Sequence, residues 1–454
     1  LPCPAPPPPT FSPASLPRPP RPEDVDRFSD GARPYQGKTE TNKLCLINLA
    51  EISGSSGKAT DAALESAILL EAFGNACTVY NDNSSRFGKW CAVNFDAEYK
   101  IARCIVEVYL LEQTRVISPN DGERNYHIFY QMLTGASTEE RAILKLTGIA
   151  EEYAYTSPPN NKNPRLKIAK VDDKQEWEDV KSKLELLGFE RDEMMKMFTL
   201  ISAVLQVGDL QFKASGEELH IVENKELLNT IATMLGLPPP RLEARLTTRI
   251  VSTGKGSSSY TVPLTKEQCY DTRDALAKGL YAALFAWLVQ KLNGSLSLRR
   301  GAGSSRRRKK HQSLSSSTSS YASAASTAAF VGVLDIFGFE SFKTNRFEQL
   351  CINYANEKLQ QKFTQDVFKS VQAEYEEEGI AWEHISFSEN QLVLDLIESR
   401  MGVVSILNEE CVRPRGSDSA FCSKLITTHR SHPHFITSKF NTSNAVEFGV
   451  RHYA

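Results

Sequence analysis

Three short stretches gather the groups that handle phosphate. Gly37, Lys38, Thr39 and Glu40 stand ahead of a helical pattern and read as the back half of a phosphate-binding loop. In such a loop backbone N–H groups and a helix N-terminus hold phosphate oxygens, the lysine reaches the β and γ phosphates, and the hydroxyl ligates Mg²⁺. Taken alone, GKT is a weak signal. The run NDNSSRFG over 81–88 packs amides, hydroxyls and a guanidinium together. Those groups suit a switch segment, with one hydroxyl on Mg²⁺ and others around the γ-phosphate and the attacking water; a plain Asx/Ser turn is the competing reading. The third stretch, DIFGFE over 335–340, ends an apolar run. Asp335 there can hold an Mg²⁺ shell, and Gly338 lets its backbone N–H approach a γ-phosphate closely, although acid-x-x-Gly turns have other structural uses.

These groups need elements to hold them. Residues 330–334 form a short apolar run and are expected to be a buried central strand with Asp335 at its carboxyl end, where α/β folds place ligands. Apolar positions from Phe347 onward keep helical spacing as far as Glu378, so a long helix should follow. Residues 44–52 and 62–70 read as helices, 91–95 as a strand, and 101 onward as a strand or a strand-to-helix passage. Over 273–293 apolar residues cover most of a helix surface, which predicts a helix buried on several sides.

Composition bounds the rest. A chain of 454 residues, 41% hydrophobic, can bury a sizeable core in one large or a few ordinary domains. Lys+Arg of 53 against Asp+Glu of 55 leaves a formal charge of -2, so no overall attraction to nucleic acid or an anionic membrane is expected. The nine cysteines include no CxxC pair, which argues against a zinc site or disulfide framework and fits a reducing compartment. No apolar run approaches the ~20 residues of a membrane span, and the first residues lack a charged-then-apolar signal, so a cytoplasmic protein is expected. None of the eight histidines forms an HExxH pair, and His127 reads as a packed helical residue. Residues 1–36 open on LPCPAPPPPTFSPASLPRPPRP and should be disordered or non-native, with a proline-recognition ligand as the lesser reading. Residues 294–328, rich in Gly, Ser and Ala with a basic knot at 306–310, should be a mobile surface loop; a nuclear address or an acidic partner is the lesser reading there. The chain starts at Leu1 and stops at Ala454 without a polar tail, so both ends are expected to be cut.

In combination the motifs are specific. GKTE, LEAFGNA (70–76), NDNSSRFGK (81–89), GERNYHIFYQ (122–131), RDALAK (273–278) and LDIFGFESF (334–342), with NRFEQLCINYANEKLQQKF (345–363), occur in the order of the myosin motor head, which the chain resembles from about Gly37 to Ala454. Kinesins share an NxxSSR switch and a DxxG turn; DIFGFE together with LEAFGNA separates the two. The resemblance implies an α/β fold of the P-loop NTPase type, a mostly parallel sheet with extensive helical insertions, interrupted by the 294–328 insertion. It implies an actin-dependent ATPase of the cytoplasm and cytoskeleton that uses ATP and Mg²⁺, with light chains or calmodulin only on a lever arm outside this chain. The first switch falls on 81–88, with Ser85 as Mg²⁺ ligand beside Thr39, and with Asn81 and Ser84 close to the phosphates. The second falls on 335–340, with Asp335 in the Mg²⁺ shell through water and the Gly338 amide at the γ-phosphate. Arg86 and Glu340 should pair when the site closes, shutting in the lytic water, and closure should pass through the helix beginning near Phe342. Ser258 matches the place where some myosins are phosphorylated in an actin-facing loop; an unregulated Gly/Ser loop is the alternative.

One stretch departs from the family. Where myosins carry GESGAGKT, residues 32–39 read ARPYQGKT. Pro34 removes a backbone donor, Tyr35 replaces a conformationally free glycine, and the preceding RPEDVDRFSDGA is too polar for a strand, so the phosphate cradle reads as broken. A faulty or foreign start explains this; so does a degenerate, catalytically inactive pseudo-motor that tethers actin. The GSSGKAT run at 54–60 has its glycines misplaced for a phosphate loop and is rejected.

Overall fold

The computed structural model describes residues 37–54, 58–159, 161–216, 219–252, 259–297, 329–342, 345–387, 389–413, 416–437 and 447–453. The expectations for 1–36, for Ser258 and for 298–328 lie outside them. Helices α1 (Gly37–Ile52) and α2 (Lys58–Gly74) open the described chain. A two-residue hairpin follows, β1 (Asn75–Ala76) against β2 (Ser84–Ser85). Then come β3 (Gly88–Phe95), β4 (Ile101–Tyr109) and, far along the chain, β5 (Ala329–Asp335).

These last three make one sheet in the order β4-β3-β5, with Lys89 opposite Asp335 and Gly88 opposite Tyr109. Every strand pair among the described residues is antiparallel, unlike the mostly parallel sheet expected. For β3 and β4 the cause is the tight turn between them, which is too short for the crossover that parallel neighbours need. β5 is less buried than expected among the described residues. It pairs there with β3 alone, and Phe330 and Val331 remain 59% and 41% exposed. Its apolar run is real, but the described sheet covers only one of its edges.

The main core lies where helices close over β3 and β4. α3 (His127–Gly135), α4 (Asp173–Leu186), α5 (Arg191–Val207) and α6 (Lys266–Ser297) carry most of it. The Asp172 side chain caps α4 by accepting from the backbone N–H groups of Lys174 and Gln175. α6 is buried on several sides, as its all-round apolar pattern predicts: Tyr281 stacks on Tyr126 at 5.0 Å, Phe285 meets Phe87 at 5.1 Å, and Leu288 and Leu292 are buried. It also runs four residues into the stretch expected to be loop, to Ser297. α7 (Phe347–Phe363) starts five residues later than the Phe342 start expected, then continues through a π-helical turn, Thr364–Lys369, and a last helix, Ser370–Glu377. A smaller core, built on Leu396, Val403, Ile406, Leu425 and Phe435, follows it. Among the described residues no helix is long and apolar enough to cross a membrane.

Candidate functional site

The hairpin β1–β2 holds a tight loop whose geometry its own side chains set. Thr78 donates its N–H to the Asn81 carbonyl at 2.8 Å, and its hydroxyl accepts from the Asn81 N–H at 3.1 Å. Asn81 Oδ1 in turn accepts from the Asn83 N–H at 2.9 Å, an Asx-type bond that tightens the turn. Opposite this loop lies the segment 336–342, which leaves the carboxyl end of β5. Between the two is a cavity of about 600 Å³, to which the start of α1 contributes Thr39 and Glu40. Hydroxyls of Thr39, Ser84 and Ser85, the amide of Asn81, the carboxylates of Asp335 and Glu340, and the backbone at Gly338 all line it. Asp335 is buried, with Lys89 Nζ 3.9 Å from its carboxylate.

Behind the cavity the two loops are tied by charge. Arg86, fully buried, makes a bidentate pair with Glu340: Nη1 to Oε1 at 2.7 Å and Nη2 to Oε2 at 2.9 Å. Its Nη1 also donates to the Ser84 hydroxyl at 3.1 Å. Its Nε is taken by Glu112 at 2.7 Å, and the same Glu112 oxygen accepts from Arg115 Nε at 2.6 Å. Arg115 continues to Glu123 at 2.8 Å. From α7, Gln349 Nε2 approaches the other Glu112 oxygen at 3.3 Å. Burial alone would lower the Arg86 pKa, but Glu112 and Glu340 outweigh it and hold the pKa well above its ordinary value. Burial would raise the pKa of the Glu112 carboxyl; Arg115 and Arg86 instead bring it down to about 2. The charges are therefore fixed, and each has partners, which a buried ion requires.

α7 grips the same segment. Asn353 accepts from the Glu340 N–H at 2.8 Å and donates to the Glu340 carbonyl at 2.8 Å. His127 is a packed helical residue: it is buried at the start of α3, with Nε2 3.2 Å from Asn83 Oδ1. Burial, then Arg124 and Arg115, push its pKa well below 6.5.

The residues singled out from sequence are thus brought together at one cavity: Thr39, Asn81, Ser84, Ser85, Asp335, Gly338 and Glu340 on its wall, and Arg86 directly behind. Gly37 and Lys38 lie in the first turn of α1, and the Lys38 side chain is outside the described set. The spacing of residues did not mark Glu112, Arg115, Gln349 or Asn353. An acid and an arginine three apart in LLEQTRV, within an otherwise apolar stretch, is the one signal that could have pointed to the Glu112–Arg115 pair.

The chain matches the model of the myosin head (motor domain) over residues 34–454. It is 41% identical over 423 residues to the myosin-I heavy chain of Dictyostelium discoideum, an alignment covering 92% of this chain and 16% of that protein. It is 39% identical to myosin-VIIa of Drosophila melanogaster, with 92% and 18% covered. It is also 39% identical over 430 residues to unconventional myosin-Ic of Rattus norvegicus, with 92% and 39% covered. The chain therefore spans well under half the length of these relatives. On the extent of that match, and with its motifs gathered at one cavity, the chain belongs to the myosin head (motor domain) family.

Proposed function

We propose that this chain is the nucleotide-handling part of an actin-based motor, in which Mg-ATP hydrolysis at the cavity between β1–β2 and 336–342 is coupled to actin-filament binding. The observation that carries the reading is the buried Arg86–Glu340 pair, which joins the two loops facing each other across the cavity. Motor heads of this family bind nucleotide with Mg²⁺. The oxygens present suit that ion, since Mg²⁺ keeps several waters and takes one or two carboxylates plus phosphate oxygens rather than a full protein cage. Thr39, Ser85 and, through water, Asp335 would hold it, and its chemistry would be to neutralise charge on the phosphate oxygens. Ser84 and Asn81 would face the phosphates, and the Gly338 N–H would sit against the γ-phosphate. The Arg86–Glu340 pair excludes bulk water from that end of the cavity and fixes Glu340 beside the lytic water.

In the same reading β5 borders a larger, mostly parallel sheet of the P-loop NTPase type; the edge it leaves open among the described residues and the exposure of Phe330 and Val331 support this. A second reading rests on Pro34 and Tyr35, which do not suit a phosphate cradle. In it the chain is a catalytically inactive actin tether. Single-turnover ATP hydrolysis with and without actin separates the two. Arg86→Ala and Glu340→Ala should each block hydrolysis while leaving nucleotide binding in place; turnover that is unchanged in both variants would overturn the assignment of the cavity.

A further inference from the structure

The Arg86–Glu340 pair ties the two loops together behind the cavity; a different contact joins them at its lining. Tyr80 stands at the tip of the β1–β2 loop, 53% exposed, and reaches across to the segment after β5. Its hydroxyl donates to the Ser341 carbonyl at 3.1 Å, and its ring stacks on Phe342 with centroids 5.5 Å apart and planes 26° from parallel. All three residues line the cavity. The position of Tyr80 is set in advance, because the Thr78 hydroxyl accepts from the Tyr80 N–H at 3.4 Å and from the Asn81 N–H at 3.1 Å. A side chain on a preorganised turn gives up little freedom when it makes a contact.

We propose that Tyr80 is a positioning residue, a second bridge that holds the segment 336–342 against the β1–β2 loop and so limits how fast the cavity exchanges its nucleotide. The gating part of this proposal rests on the reading of the cavity as the nucleotide site; the bridge itself does not. The two bridges differ in kind. Arg86 and Glu340 are joined by charge in a largely buried place, so salt screens that link little. Tyr80 joins through one neutral hydrogen bond and one aromatic stack at the surface, each of modest strength, so it breaks and re-forms far more readily. Opening wide enough to release a nucleoside diphosphate means parting both bridges, whereas parting the Tyr80 bridge alone frees only the outer rim.

The test has two arms. In the nucleotide-free full chain, amide hydrogen exchange over 336–342 should rise about five-fold in Tyr80→Phe and more than ten-fold in Tyr80→Ala, as one and then both contacts are lost. Exchange in β3 should not change in either variant. Equal exchange over 336–342 in all three proteins overturns the bridge. In the second arm, release of a fluorescent nucleoside diphosphate should accelerate in the same order, and Tyr80→Trp, which keeps a ring to stack, should restore part of the retention. Unchanged release with raised exchange overturns the gating role and leaves the bridge. Raised exchange in the variants, together with a wild-type chain that binds no nucleotide, overturns the reading of the cavity instead.

Discussion

Replacing Glu112 with glutamine is expected to destabilise the protein by about 3 kcal/mol at neutral pH. One oxygen of this carboxylate accepts from two guanidiniums, Arg86 at 2.7 Å and Arg115 at 2.6 Å, and the other faces the Gln349 amide at 3.3 Å. Glutamine has the same shape but only one acceptor oxygen. Whichever way its amide turns, the NH₂ group meets a donor, and two buried arginines lose the carboxylate between them. Breaking a buried ion pair from one side costs ~3–5 kcal/mol. Proton linkage gives a second route to the magnitude. The Glu112 carboxyl is held at about 2 against an ordinary 4.5, and that gap corresponds to roughly 3 kcal/mol. The sign follows from the direction: the folded pKa lies below the unfolded one, so the stabilisation is complete above about pH 5 and is lost as pH falls toward 2. Urea unfolding of both proteins, followed by tryptophan fluorescence, reads the difference. The gap should be about 3 kcal/mol at pH 7 and less than half of that by about pH 3. A gap under ~0.5 kcal/mol at pH 7, the range of an ordinary surface substitution, would refute the network's role. So would a gap that does not narrow toward acid.

Two other positions give sharp outcomes. His127 should stay neutral through the range where an ordinary histidine titrates, because burial and the nearby arginines Arg124 and Arg115 hold its pKa well below 6.5. Its ring resonances, followed by NMR, should not move as pH falls from 8 to about 6; a midpoint near 6.5 would contradict this, and the sign of the linkage is that stability declines as pH drops below 6.5. Gly135→Ala should lower the melting temperature, because a Cβ there would lie 2.5 Å from Trp177 Cβ, in a core where Trp177 is fully buried. Overpacking of that kind costs about 1–3 kcal/mol, more than the better helix propensity of alanine returns, so a thermal scan showing equal or greater stability would show that α3 and α4 can shift apart.

What was legible in the sequence was local. Helical spacing located α1, α2, α6 and α7, and three motifs located the walls of the cavity, because each of these signals sits within a few consecutive residues. What was not legible depends on chain segments far apart. The pattern of β5 records a strand with apolar side chains but not how many neighbours it has; among the described residues it has one, β3. Likewise NDNSSRFG and DIFGFE advertise polar groups, whereas Glu112 and Gln349 acquire their roles only when residues separated by more than two hundred positions meet.

That long-range meeting determines what α7 can sense. Near its start the helix is tied to the part of the molecule that stays with the core: Arg346 donates to the Ser118 carbonyl at 2.7 Å, and Gln349 reaches Glu112 at 3.3 Å. One turn later Asn353 holds both backbone groups of Glu340, at 2.8 Å each. A backbone shift that carries Glu340 away from Arg86 must take Asn353 with it or leave two backbone groups to find other partners. The helix thus has one anchor on the fixed charge network and one on the cavity wall, a single turn apart. In the proposed reading, a displacement of that wall would act on a helical segment that continues, through the π-helical turn Thr364–Lys369, to Glu377.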